Sequence, residues 1–231
     1  MEYLEFERIL SAKRIQRYKD AANGDTRKAM ALYRYNLRLS QEMFTIVSCF
    51  EVALRNAIDS LLVPSLGEDW LKDSVQENGI FSNGRMNETR KIIEKAYNRL
   101  NRQGNYSHSK LIAEMEFGVW KYMYSSLQYR ATGQCLLRAF PNKPRSSAAV
   151  QYNNTYIFNE LDKVNSLRNR IAHHEPICFR LHEAEIDTSY IINEYQKIQT
   201  LFSWMGIDSH SMLYGLDHVQ SVCAKINSLK V

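Results

Sequence analysis

Along most of the chain, apolar residues recur every three or four positions, the spacing that lines one face of an α-helix. From residue 26 to about residue 63 the stripe runs through Leu32, Leu39, Met43, Ile46, Phe50, Ala53, Ala57 and Leu61, and no Gly or Pro interrupts it before Pro64. At about 1.5 Å per residue this helix would exceed 50 Å, so a kink or break near residues 31–35 is expected. The segment 111–120 is apolar nearly all round and predicts a central helix over about 108–127. Gly118 within it costs about 1 kcal/mol relative to Ala, which a close helix crossing would justify.

Shorter amphipathic stretches fill the rest. Residues 1–10 are expected to form an extended lead-in. Ser11 is placed to cap a helix reaching about residue 22, with Ile15 and Tyr18 on one face. Asn23, Gly24 and Asp25 then supply a stop, a turn and a new cap. Residues 64–84 are expected to be irregular or to hold a short helix, with Trp70 and Leu71 tucked in. Asn87 is placed to cap a helix over 88–102, and Ser107 to cap the central one after a turn at Gly104. The clearest loop is 141–147, with Pro141 and Pro144. A helix over about 148–174 follows and is stopped by Pro176, because the residue before a proline avoids the helical region. Segments at about 183–204 and 209–229 complete the pattern.

No repeat, low-complexity tract or strand pattern emerges. The expectation is an all-α chain of about six or seven helices in a single domain spanning 1–231. Its core covers about 10–205, with a C-terminal helix at about 209–229.

Composition leaves that picture standing. Hydrophobic residues make up 45% of the 231 positions and charged residues 24%, an ordinary globular balance. A chain of this length can bury its own core without a disulfide or a metal. Cys49, Cys135, Cys178 and Cys223 lie far apart, with no C-x-x-C pair and no zinc-finger spacing. Cys49 and Cys223 sit in apolar surroundings, as buried free thiols do. The acidic N-terminal stretch lacks a signal-peptide core. No apolar run approaches the roughly 20 residues of a membrane span. A cytoplasmic protein without membrane contact is the resulting expectation.

The net charge of +5 leans towards a polyanionic partner such as RNA. Arg90, Lys91, Lys95, Arg99 and Arg102 make one side of their helix basic, opposite Ile92, Ile93, Ala96 and Leu100. Such a face is either simply solvated or a contact for RNA phosphates. Lys143 and Arg145 are further basic candidates. Tyr122, Tyr124 and Tyr129 fit a core or interface role better than base stacking.

The densest chemistry lies at Leu167-Arg168-Asn169-Arg170-Ile171-Ala172-His173-His174-Glu175-Pro176. An unperturbed histidine titrates near pH 6.5, so His173 can serve as acid or base near neutrality. A helix C-terminus favours positive charge. Arg168 can fork onto a phosphate with paired hydrogen bonds. Asn169 can bond to the phosphate or to the imidazole. Together they are sufficient for metal-free RNA cleavage, in which the 2′-hydroxyl attacks the adjacent phosphate. Five steps of about 100° set His173 some 140° around the helix from Arg168. A loosened helix end or a second copy of the chain would be needed to bring both onto one phosphate. The other reading is a polar helix end that only stabilises the structure. On the long helix, Glu51 and Arg55 are four apart and can pair as a plain salt bridge or as support for a polar site. Adjacent histidines point about 100° apart and no H-x₃-H or H-E-x-x-H pattern is present, so neither a metal nor another cofactor is expected. Gly-rich phosphate loops and a serine nucleophile elbow are absent.

The Arg-polar-x₃-His run from Arg168 to His173 resembles the HEPN superfamily. The wider chain is similar to its Abi-like (AbiD/AbiF-type) abortive-infection branch. The matching positions are Tyr33, Asn36, Leu39-Ser40, Glu51-Val52, Leu54-Arg55-Asn56 and Ile58, then Phe117-Gly118 with Trp120, then 167–176. The resemblance covers about residues 10–205. It implies a HEPN-like helical bundle forming a two-fold homodimer. It also implies a metal-independent endoribonuclease leaving 2′,3′-cyclic phosphate ends, deployed as an anti-phage effector or toxin. An antitoxin or a phage-derived trigger would be a further partner. Arg168, Asn169 and His173 carry over as catalytic positions, with Glu51, Arg55, Asn56 and His174 in support. Arg170, Arg90, Lys91, Lys95 and Arg99 are candidate RNA contacts. The alternative is a non-catalytic HEPN module that binds RNA or a protein partner.

Overall fold

A computed structural model describes residues 1–230. In chain order the helices are α1 (Tyr3–Leu10), α2 (Ala12–Ala21), α3 (Thr26–Leu66), α4 (Trp70–Asp73), α5 (Asn87–Arg102) and α6 (His108–Glu114). After them come α7 (Phe117–Tyr122), α8 (Ser126–Ala131), α9 (Asn154–Ala172), α10 (Ser189–Trp204), α11 (Ser209–Met212) and α12 (Val219–Asn227). Among the described residues there is no strand, only an isolated antiparallel bridge between Phe179 and Ile186. The protein is all-α. Several of these helices are single turns, which raises their number above the six or seven long stretches of the pattern. Among the described residues, no helix is long and apolar enough to cross a membrane.

The chain divides into two compact units. The first comprises Met1–Ser48, Ser166–Thr200 and the residues from Asp208 onward; the second comprises Cys49–Asn165 and Leu201–Ile207. Helices α3, α9 and α10 each contribute residues to both.

In the first unit an aromatic cluster joins Phe6, Tyr18, Tyr33 and Phe179. Ring centroids lie 5.4 Å apart for Phe6 and Tyr33, 5.1 Å for Tyr18 and Tyr33, and 5.0 Å for Tyr18 and Phe179, all edge-on. Each such pair adds about 0.5–1.5 kcal/mol beyond the area it buries. The expected extended lead-in is instead helix α1, because a helical turn brings Phe6 into this cluster. Helix α3 then starts where expected. Asp25 Oδ1 accepts from the backbone N–H groups of Arg27 (2.9 Å) and Lys28 (3.0 Å). The helix runs unbroken through residues 31–35 and closes at Leu66 with Pro64 in its last turn.

The second unit is built around Phe50, whose ring meets Phe202 at 5.3 Å and Phe117 at 6.3 Å. The predicted central helix is divided: Met115 and Glu116 are extended between α6 and α7. An apolar run this dense cannot be covered on one side of a single straight helix. The break turns the chain so that Leu111, Ile112, Met115, Phe117, Val119 and Trp120 are all buried. Gly118 does not mark a helix crossing, since a Cβ there would meet nothing within 4 Å.

Several element starts differ from the pattern, and for α9 and α10 short polar side chains that hold backbone N–H groups ahead of or at the helix start are the reason. Asn87 caps nothing and is itself the first residue of α5; Asn83 instead caps the 3-10 turn Gly84–Met86 ahead of it, accepting from Arg85 N (3.0 Å). Ser146, Ser147 and Asn153 accept from Tyr152 N (3.0 Å), Val150 N (3.2 Å) and Tyr156 N (3.0 Å), so α9 begins at Asn154, not near 148. Asp187 accepts from Ser189 N at 2.9 Å and delays α10 to that residue.

Candidate active site

The end of α9 lies in the first unit and closes with two characteristic backbone bonds. His174 N–H donates to Ile171 O and Glu175 N–H to Arg170 O, both at 2.9 Å. His174 stands between them in the left-handed conformation (φ 56°), the position usually given to glycine. His173 therefore sits one residue beyond the last helical residue. Its own N–H still donates to Asn169 O at 2.9 Å, so its backbone is held although its side chain is exposed.

Four side chains hold the chain as it leaves the helix. Asn36, buried on α3, accepts from Ile177 N–H at 2.9 Å. Arg14 on α2 donates to His174 O (3.2 Å), and Arg17 donates to Arg180 O (2.6 Å) and Glu183 O (2.8 Å). Arg170 donates to Pro176 O (3.0 Å), approaches Glu175 Oε2 (3.3 Å) and lies 5.0 Å from the centre of the Tyr190 ring. Each ties down a carbonyl or amide of the segment 174–183 that follows the helix. The backbone beneath His173 is thus fixed from α2, from α3 and from its own helix.

Arg168, Asn169 and His173 share this helix end and have no side-chain hydrogen bond or ion pair among the described residues. Arg168 is half-buried, while Asn169 and His173 are exposed. That leaves a cation, an amide and an imidazole with free hydrogen-bonding capacity on a rigid support. His174, named as support, contributes its backbone; its side chain is exposed.

Glu51, Arg55 and Asn56 lie on α3 within the second unit. Arg55 keeps a buried Nε with no hydrogen-bond partner, and Asn56 is exposed. Most of the basic candidates on α5 are engaged. Arg90 bonds Glu94 (2.7 Å), Lys91 bonds Glu88 (3.3 Å) and Arg99 pairs with Glu114. Lys95 has no partner among the described residues. Among the described residues, no three His, Cys, Asp or Glu side chains gather so as to hold a metal ion. All four cysteines are free, and burial pushes the Cys178 thiol up to about 12 and that of Cys223 to about 11.

Arg14, Arg17 and Asn36 escaped the sequence reading as residues that build this helix end. Asn36 stands in one of the resembling segments, which was the available signal. The arginines on α2 carry no local pattern that separates them from an ordinary solvated face.

Residues 3–178 match the Abi-like protein family, more than half of the chain, and the protein belongs to that family. No curated protein and no solved structure matches it.

Proposed function

We propose that this Abi-like protein is a metal-independent endoribonuclease that acts in abortive infection, with Arg168, Asn169 and His173 forming a HEPN-type site. The observation that carries the reading is the end of α9. Its backbone is anchored by Arg14, Asn36 and Arg170, while Arg168 and His173 stay uncommitted. Both side chains can therefore meet a phosphate without first giving up a protein partner.

In this reaction His173 removes the proton from a ribose 2′-hydroxyl. The oxygen attacks the adjacent phosphorus, and the bond to the 5′-oxygen breaks as that oxygen takes a proton from an acid. The products are a 2′,3′-cyclic phosphate and a 5′-hydroxyl. Arg168 hydrogen-bonds the phosphate oxygens as charge gathers on them, and Asn169 orients phosphate or imidazole. A second copy of the chain supplies the second histidine, so that one acts as base and the other as acid.

The test compares the purified protein with His173→Ala on labelled RNA. Loss of a general acid or base lowers the rate by about 10²–10⁴-fold. Cleavage should fall by that amount with helicity and oligomeric size unchanged, and EDTA should have no effect. Equal cleavage by the two proteins, or abolition by EDTA, would refute the proposal. RNA binding without any product would instead favour a binding module.

A further inference from the structure

A groove of about 680 Å³ opens in the second unit, whereas the residues assigned to cleavage belong to the first. Its volume falls within the range of small-ligand sites, about 300–1,000 Å³. Helices α5 and α7 contribute much of its lining. Ile92 and Tyr122 stand in it 48% and 46% exposed, an unusual cost for two large apolar side chains within one concavity. Tyr122 is not loose. The Lys121 ammonium lies 4.4 Å from its ring centre, and the Phe158 ring meets it at 5.7 Å. Lys121 is itself buried and bonded to Asp162 at 2.8 Å.

The charges sort unevenly. Of the three glutamates in the lining, Glu114 is paired with Arg99, and Glu88 is held by Lys91 at 3.3 Å. Lys95 and Arg85 have no side-chain partner among the described residues. Arg102 gives only its Nε, to the Asn98 carbonyl at 3.2 Å. Three cations thus remain against the single carboxylate of Glu116. Gly118 adds room: a Cβ there would meet nothing, so the space along this stretch of α7 is left to an occupant.

We infer that this groove holds a nucleotide of a single-stranded RNA, with a base against Tyr122 and Ile92 and the phosphates on Lys95, Arg85 and Arg102. Apolar and aromatic contacts with the bases, combined with free cations along the backbone, characterise sequence-tolerant binding of single strands. An acidic peptide would satisfy the cations but leave the apolar pair without a flat partner. The inference deepens the ribonuclease reading by assigning a strand-holding subsite, and it rests on RNA being the substrate.

The test measures anisotropy of a short labelled single-stranded RNA with the full chain carrying His173→Ala, so that the strand stays intact. Tyr122→Ala and Gly118→Leu should each weaken binding about tenfold or more. Gly118→Ala, which leaves the groove open, should not. Lys95→Ala should reduce the salt slope by about one. Thermal unfolding checks the fold, and Tyr122→Ala and Lys95→Ala suffice if Gly118→Leu does not fold. Unchanged affinity in those two variants overturns the inference. So does displacement by polyglutamate, which would show a surface reading charge alone, or equal displacement by free adenosine monophosphate, which would show a small-effector site. Binding that depends on Tyr122 without cleavage by the unsubstituted chain would uphold the groove and remove the ribonuclease reading. Normal cleavage with unchanged binding in the Tyr122 and Lys95 variants would do the reverse.

Discussion

At the end of α9, Arg168 stays without a partner while Arg170, two residues on, is bound to Pro176 O and Glu175. On α5, Arg90, Lys91 and Arg99 each face a carboxylate and Lys95 faces none. In both regions a cluster of positive charge separates into cations that hold the protein together and cations that remain available. Net charge does not distinguish them. A guanidinium already bonded to a carboxylate must give up that pair to meet a phosphate, whereas a free one loses only water. The regions differ in rigidity as well. The α9 end is tied by buried and backbone-directed bonds, whereas the α5 pairs lie at the surface, where such pairs contribute little.

This contrast can be broken experimentally, and the largest effect is expected at Arg168. Arg168→Ala should lower RNA cleavage about a hundredfold or more, the scale seen when a charge-stabilising donor is removed. Its unfolding midpoint should barely move. Arg170→Ala should show the opposite balance, losing about 1–2 kcal/mol of stability through its broken bonds. Kinetics and denaturant titration on the two variants together decide this, and similar profiles would dissolve the distinction.

Next comes Asn36→Ala, which leaves the buried Ile177 N–H without an acceptor and should cost about 1–3 kcal/mol. Urea unfolding reads it directly. A smaller loss would mean that the helix end is anchored mainly by Arg14 and Arg170. His174→Gly should act in the other direction. It relieves a left-handed residue and should stabilise the protein by up to about 1 kcal/mol, visible as a higher melting temperature. The smallest effect is expected on α5: Arg90→Ala and Lys91→Ala should each change stability by less than about 0.5 kcal/mol. Neither should alter the salt dependence of RNA binding, and a changed slope would show that paired cations also reach the strand.

Much of this was legible in the chain. The 3.6-residue stripe announced α3, though not that it runs unbroken through residues 31–35, and Asn23-Gly24-Asp25 marked its start. Pro176 and the polar run before it located the end of α9 to within two residues. Local rules suffice there because spacing, capping and proline geometry act over a few positions. They failed where the deciding contact is distant. Phe6 makes α1 helical through Tyr33. The run 111–120 breaks because no single helix face could bury it. Gly118 proved to be space beside a groove to which α5 and α7 both contribute.

The site divides along the same line. The sequence by itself determined that an arginine, an amide and a histidine stand at one helix end, since their order and a nearby proline are local facts. Only the tertiary structure decided which cations are free. A side chain such as Arg170 is committed by Pro176 O and Tyr190, and the His173 backbone is steadied through residues as distant as Arg14 and Asn36. Hydrogen bonds and ion pairs form between neighbours in space, and which groups become neighbours is settled by how the whole apolar pattern packs.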